Sequence, residues 1–408
     1  MTTQTSKNWQ HIKIGHLGRI VTGKTPPTKN QEYYGDRYPF ITPTDISESS
    51  IFVEKPDRYL SESGARKIAS SKLPKNSVCY TCIASVGKIT ITKEDSFTNQ
   101  QINSIIANPD KADFRYIFYL LRNITSQIKR MVGGVASPII NKSDFENIDI
   151  EIPEIKIQKQ IADVLSRYDD LIENNTRRIK ILEQMVQAIY AEWFVNFRFP
   201  GYEKIKMVDS GADFGKIPEG WSVENLSELV DFVRGIEPGS DNYKLEHKEG
   251  RIPFLRVGDL GSRGSNIFID RDIAGDNFIN KADIAVTMDG TVGRVAIGFY
   301  GAYSTGIRKL MIKNTKINRE YLYLLMLSDL IQEVIKSHAK GTTILHASES
   351  IKYMQCVLPS KEIMDKLCIS AKPLIDGILV LREQNQNLRQ MRDLLLPKLV
   401  TGKLEIKS

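Results

Sequence analysis

The chain has 408 residues, 56 Lys+Arg against 49 Asp+Glu for a formal charge of +7, and 41% hydrophobic residues. That length accommodates two or three domains of roughly 150 residues, the apolar content excludes a disordered chain, and the small charge excess permits an acidic partner without requiring one. No apolar run approaches the ~18 residues of a membrane span, Thr2–Lys13 has no apolar signal region and the four cysteines fit reduced thiols, so a cytoplasmic protein without membrane association is expected.

The elements in chain order occur twice. Trp9, Leu17, Gly23 and Pro26 recur 212 residues later as Trp221, Leu229, Gly235 and Pro238. Pro39-Phe40 and Asp45 recur at an offset of 214, Val86-Gly87-Lys88 as Val292-Gly293-Arg294 at 206, and Tyr116 and Leu120 as Tyr321 and Leu325 at 205. An ordered series with drifting offsets is what duplication followed by loop insertions leaves. Residues 1–155 form the first globular part, with β-type runs at Val78–Ala84, Lys88–Thr92 and Ile102–Ala107 and an amphipathic helix over Asp113–Met131. Residues 156–200 are read as a long helix, on which Leu165, Tyr168, Ile172, Asn175, Ile179, Leu182, Val186, Ile189 and Trp193 follow 4-3 spacing.

Residues 201–360 repeat the globular part, with runs at Ile284–Met288, Arg294–Tyr300 and Lys309–Lys313 and a helix over Asn318–Ser337. Residues 361–408 repeat the long helix, with a seam of Leu367, Ala371, Leu374, Ile378, Leu381, Asn385, Leu388, Arg392, Leu395 and Leu399; Pro200 and Pro397 are the expected stops. The fold class is α+β: two homologous globular domains joined by two long helices. The first helix leaves domain one and the second must run back, so the seams are expected to pack as an antiparallel coiled coil about a pseudo-twofold axis. Pairing centred on residues 177 and 383 puts Asn175 opposite Asn385, a facing amide pair that can set helix register.

Catalytic motifs are weak. Gly18–Thr25 matches the phosphate-loop pattern G-x4-G-K-[ST], but Pro26-Pro27 prevent the helix such a loop must open, and the second copy replaces Lys24-Thr25 by Ile236-Glu237. Cys79-x-x-Cys82 lacks a second pair and reads as buried strand cysteines. His11, His16, His247, His338 and His346 are scattered, with no H-x-x-x-H pair, so no metal site and no catalytic residue is expected.

What remains is loops that combine glycine, cations and small hydroxyls. In copy one the candidate nucleic-acid contacts are Lys24, Thr25, Thr42, Thr44, Ser85, Lys88 and Ser137; in copy two they are Arg234, Arg256, Thr291, Arg294, Lys340, Thr342 and Thr343. Such residues suit phosphate oxygens and base edges. Net charge is +5 over residues 1–156, zero over 157–200, −1 over 201–360 and +3 over 361–408, so any polyanion contact must come from local patches.

Several segments carry a family resemblance. Ile152-Pro153-Glu-Ile-Lys-Ile-Gln158-Lys-Gln160-Ile161 leads into the first helix, Glu192-Trp193-Phe194-Val195-Asn-Phe-Arg-Phe-Pro200 leaves it, and Leu395-Leu396-Pro397-Lys398-Leu399-Val400-Thr-Gly402 lies near the carboxyl end. With the duplication, these make the whole chain resemble a specificity subunit of a type I restriction-modification system; Pro359-Ser-Lys-Glu-Ile departs from the family's glutamine-containing helix start. The resemblance implies target-recognition domains that each read one half of a bipartite, asymmetric site on double-stranded DNA, with the helical pair setting the unread spacer. It also implies a chain that is itself no enzyme and binds no cofactor. Two methyltransferase subunits would use S-adenosylmethionine, and restriction subunits would use ATP and Mg. Arg177, Arg178, Gln184 and Gln187 on the outward helix face are candidate partner contacts. The alternatives are a tandem DNA-binding scaffold without sequence preference and, against the missing helix, a phosphate-loop nucleotide-binding enzyme.

Overall fold

A computed structural model describes residues 9–47, 50–131, 139–261, 264–341 and 345–406. The chain forms two compact units, Met1–Asn174 with Asn387–Ser408, and Asn175–Gln386. Among the described residues no helix is long and apolar enough to cross a membrane.

The first unit is built on a four-stranded antiparallel sheet in the order Gly18–Thr22, Ile102–Ala107, Val78–Thr81, Ile89–Ile91. A second sheet pairs Tyr38–Ile41 in parallel with Phe97–Thr98, and a short ladder joins Trp9–Lys13 to Asp149–Pro153. The strand Val78–Thr81 is buried along its whole length, which fits its apolar and β-branched composition. Helix Phe114–Met131 covers this sheet and buries Tyr116, Ile117, Leu120 and Leu121, residues at i, i+1, i+4 and i+5 of one face.

The second unit repeats this topology. Its main sheet runs Val230–Arg234, Ile307–Ile312, Ile284–Thr287, Val295–Ala296, and the parallel pair is Arg251–Leu255 with Gly301–Tyr303. Two expectations need correction. The strand expected over Arg294–Tyr300 shortens to Val295–Ala296, because Gly298 turns away with φ +86 and lies close under Leu379. The helix expected over Asn318–Ser337 is two helices, Arg319–Leu327 and Asp329–Ser337. Ser328 between them takes an extended backbone (ψ 149), and its hydroxyl donates back to the Leu325 carbonyl at 2.6 Å. The extended backbone at Ser328 ends the first helix, and its carbonyl, accepting from Gln332 N at 3.0 Å, begins the next.

The long helices are Ile155–Tyr190, continued by a wider π turn at Ala191–Val195, and Lys361–Val400. Every seam position read from the 4-3 spacing is buried or half-buried, whereas Arg177, Arg178, Gln184 and Gln187 are exposed. The second helix does not stop at Pro397, and it also runs through Pro373. A proline removes one backbone bond, here to the Ile369 carbonyl. Pro373 is exposed and Ile369 is 76% exposed, so water can take up that carbonyl while the buried seam holds the helix. In the second unit the two helices run antiparallel: Leu182 lies against Gly377, Glu183 binds Arg382 at 2.7 Å, and Thr176 Oγ1 accepts from Asn385 Nδ2 at 3.2 Å. Asn175 and Asn385 are both buried, and the bond from Asn385 reaches the neighbour of Asn175.

In the first unit the seam carries charge. Arg392, 3% exposed, donates to Asp169, 8% exposed, and Asp169 Oδ2 also accepts from Tyr119 Oη at 2.7 Å. Asp393 binds Arg392 Nη2 at 2.9 Å and Arg122 at 3.5 Å. Burial opposes the Arg392 charge, but Asp169 and Asp393 outweigh it and hold the guanidinium above its usual range; burial, with Asp169 adding, pushes the Tyr119 phenol well up. The positions related to Tyr119, Asp169 and Arg392 by the duplication are Leu324, Ile375 and Val186, which share one apolar core in the second unit. Removing one partner of a buried ion pair costs about 3–5 kcal/mol, whereas an apolar replacement of the whole group can be neutral. Arg392→Val alone should therefore lower the thermal unfolding midpoint strongly, and the triple change Tyr119→Leu, Asp169→Ile, Arg392→Val should recover most of the loss. Equal midpoints for the single variant and the unaltered chain would show that the network contributes nothing.

Candidate nucleic-acid interface

In each domain five segments meet at one end of the main sheet. The first is the end of the opening strand, held by glycine. A Cβ on Gly23 would lie 2.1 Å from the Asn99 carbonyl oxygen, and one on Gly235 would lie 2.1 Å from that of Tyr303. The glycine repeated in both copies is thus required by close backbone approach. The segment it approaches is bonded onward in matching fashion: Asn99 N to Ile41 O at 3.3 Å and Cys82 N to Gln101 O at 2.7 Å in domain one, Ser304 N to Leu255 O at 2.9 Å and Met288 N to Gly306 O at 2.8 Å in domain two.

The hairpin turn is also built twice. Thr81 Oγ1 donates to the Ser85 carbonyl and accepts from Lys88 N at 2.9 Å; Thr287 Oγ1 donates to the Thr291 carbonyl and accepts from Arg294 N at 2.9 Å. Gly87 and Gly293 take φ of +98 and +81 in these turns, the left-handed region that favours glycine. The cation closing each turn reaches the loop after the parallel strand. Lys88 Nζ donates to the Pro43 carbonyl at 2.7 Å, and the Arg294 guanidinium covers Gly261. That loop is itself locked by an aspartate: Thr42 N and Oγ1 both donate to Asp45 Oδ2 at 2.7 Å, and Arg256 N and Nε donate to Asp259 Oδ2 at 2.8 and 3.3 Å. The fifth segment returns beside the same strand end, with Ile140 N bonded to Cys82 O at 2.9 Å and Ala347 N to Met288 O at 2.8 Å.

Most of the residues expected at the interface therefore converge. Lys24 is exposed and its Nζ donates to Ser70 Oγ at 3.0 Å, while Thr25 Oγ1 donates to Gln100 Oε1 at 2.7 Å. Thr44, Ser85, Arg234, Arg256, Thr291 and Lys340 are exposed; Thr42, Lys88 and Arg294 are half-buried. Lys340 Nζ binds Glu349 at 2.6 Å, and Lys340 with Lys352 holds that carboxyl down at about 2. Ser137, Thr342 and Thr343 lie outside the described residues. The segment Gly18–Thr25 is a strand followed by extended chain, with no helix at Lys24. Cys79 is buried in the main sheet and Cys82 is buried just beyond the end of the same strand, and burial pushes both thiols up to about 12.

Sequence reasoning missed Gln100, His346 and Arg308 here and, away from the interface, the acidic partner of His11. Gln100 lies between two strands, and no local motif marks it. His346 and His11 do have acidic partners, Asp289 at 2.7 Å and Glu151 at 2.6 Å, brought from 57 and 140 positions away. Arg308, 7% exposed, sits in a run that reads as core; its guanidinium donates to the carbonyls of Thr305 and Ile307 and to Ser348 Oγ at 2.7 Å. Duplication was the available signal, because the equivalent of Arg308 is Asn103, a polar residue in the same buried strand.

The pattern of the type I restriction modification DNA specificity domain matches residues 6–184 and 218–368. The chain is 29% identical to the MjaIX type I restriction enzyme specificity subunit of Methanocaldococcus jannaschii over 98% of this chain and 95% of that one. It is 34% identical to the HindI specificity subunit of Haemophilus influenzae over 41% of this chain and 38% of that one. Its fold is similar to the crystal structure of the type I restriction-modification S subunit from M. genitalium, with a TM-score of 0.60 at 17% identity, covering 98% of this chain and 97% of that one. With the specificity-domain pattern present twice and whole-length likeness to specificity subunits, the chain belongs to the type I restriction-modification DNA specificity family.

Proposed function

We propose that this chain reads a bipartite, asymmetric sequence on double-stranded DNA, one half with each domain, and carries no catalytic step itself. The observation that supports this most is one backbone frame with exchanged side chains. The threonine-bonded turn, the locked aspartate loop and the close glycine recur in both domains. Between the equivalent stations Lys24 becomes Ile236, Thr25 becomes Glu237, Thr42 becomes Arg256, Ser85 becomes Thr291 and Gln100 becomes Thr305. A frame that conserves position while changing hydrogen-bonding groups is suited to presenting two different base-edge patterns from equivalent places.

The rest of the reading follows from family membership. The antiparallel helices set the unread spacer, and their exposed face, including Arg177, Arg178, Gln184 and Gln187, meets two methyltransferase subunits. Those subunits use S-adenosylmethionine on adenine, while restriction subunits use ATP and Mg; this chain holds none of these cofactors and works in the cytoplasm.

Two measurements check this. Co-expression of the full chain with its partner methyltransferase, followed by genome-wide mapping of modified adenines, should give one split motif with two unlike halves. Scattered modification would favour a scaffold without sequence preference and sink the proposal. Replacing residues 210–360 by the corresponding segment of a relative should then change one half of the motif and leave the other intact; a change in both halves would break the assignment of one half per domain.

A further inference from the structure

At one station the two domains carry opposite chemistry. In domain one Thr22, the last residue of its strand, stands opposite Asn103. Thr22 Oγ1 donates to Asn103 Oδ1 at 2.7 Å, and Asn103 Nδ2 donates to Cys82 Sγ at 3.3 Å, so this station satisfies itself. The equivalent residues in domain two are Arg234 and Arg308, again in register across neighbouring strands. Residues directly opposite in an antiparallel pair share a face about 5 Å apart at Cβ, and like charges there repel.

Among the described residues neither arginine is neutralised by an ion pair. Arg308 is held by two carbonyls and a serine hydroxyl, none of them acidic. The acid that acts on it, Asp289, bonds His346 at 2.7 Å instead. Arg234 is exposed and has no hydrogen bond or carboxylate partner among the described residues. Burial, with Arg234 adding, holds Arg308 below the usual arginine value against the pull of Asp289. Two guanidinium groups on one face, one fixed and one free to reach outward, lack the group that would relieve their repulsion. A planar guanidinium matches acceptors presented in pairs, as phosphate oxygens or the O6 and N7 of guanine are.

We infer that Arg234 and Arg308 form a station that takes a paired acceptor group of DNA, a phosphate or a guanine edge, in domain two, and that the Thr22–Asn103 station of domain one does not. This rests on the DNA-reading function proposed above. The test compares the full chain with Arg234→Ala and Arg234→Lys, each co-expressed with the methyltransferase. Adenine-methylation motifs are mapped, and binding to a duplex carrying the wild-type motif is measured at several salt concentrations. Arg234→Ala should weaken that binding about tenfold or more.

If the acceptor is guanine, one base pair in the domain-two half becomes degenerate and Arg234→Lys does not restore it. If it is a phosphate, all sequences weaken alike, the slope of log affinity against log salt falls by about one, and Arg234→Lys recovers much of the loss. Either result supports the station, with the unchanged domain-one half as the internal control for folding. An unaltered motif, affinity and salt slope would overturn it while leaving the two-reader function standing. A wild-type complex that yields no split motif would defeat that function, and the station with it.

Discussion

A helix with an apolar seam can leave water along that seam only by finding a matching one. The constraint governs this chain because both seams outlast any single domain core. The helices Ile155–Tyr190 and Lys361–Val400 each contribute to two cores. In the first unit Ile161, Ala162 and Leu165 share a core with Leu396, Leu399 and Val400; in the second Val186, Tyr190 and Phe194 share one with Leu367, Ala371, Ile375 and Ile378. Neither domain is closed by contiguous sequence. The first waits for the last helical turns of the chain, and Trp9 then packs against Gly402. The second is sealed by the tail of the first helix, where Phe199 stacks on Trp221 with ring centroids 4.9 Å apart. Trp9 and Trp221 are the same residue in the two copies, each receiving the tail of a long helix.

On that support the two domains divide labour between frame and surface. The frame is paid for by backbone and buried groups: the threonine that bonds both sides of the hairpin turn, the aspartate that locks the neighbouring loop, the glycine that no other residue can replace without a clash. Several candidate cations serve the frame as well. Lys88 latches the turn to the Pro43 carbonyl, so its removal would disturb the shape of the surface as well as its charge. The outward groups differ between copies at almost every equivalent station. This division lets a duplicated fold present two unlike surfaces without altering its hydrogen-bonded skeleton.

The helix seam was legible because it rests on short-range periodicity, and the repeat because an ordered series of long-range matches runs through both copies. Seam phase came out correctly along both helices, even at the polar positions Asn175, Asn385 and Arg392. The seam read from the sequence already ran across Pro373, but passage of the second helix beyond Pro397 was not legible, since burial on one face outweighs a local penalty that sequence alone suggests is decisive. The break at Ser328 lay hidden in a run with good helical spacing, where one residue in extended backbone separates the two helices. At the interface, loops rich in glycine and cations could be found one at a time. Their partners could not: Gln100, Asp289, His346 and Arg308 arrive through strand pairing, and a buried arginine inside a strand resembles core until its neighbours are known.

The central proposal is that each domain reads one half of a split DNA site and that the long helices set the length of the unread spacer. Its most direct test inserts one heptad, in seam phase, into each long helix and maps adenine methylation by the complex. Seven helical residues add about 10 Å, the length of about three base pairs. The account predicts the same two half-sites with a spacer longer by about three base pairs. Altered half-sites, or an unchanged spacer in an active complex, would contradict it.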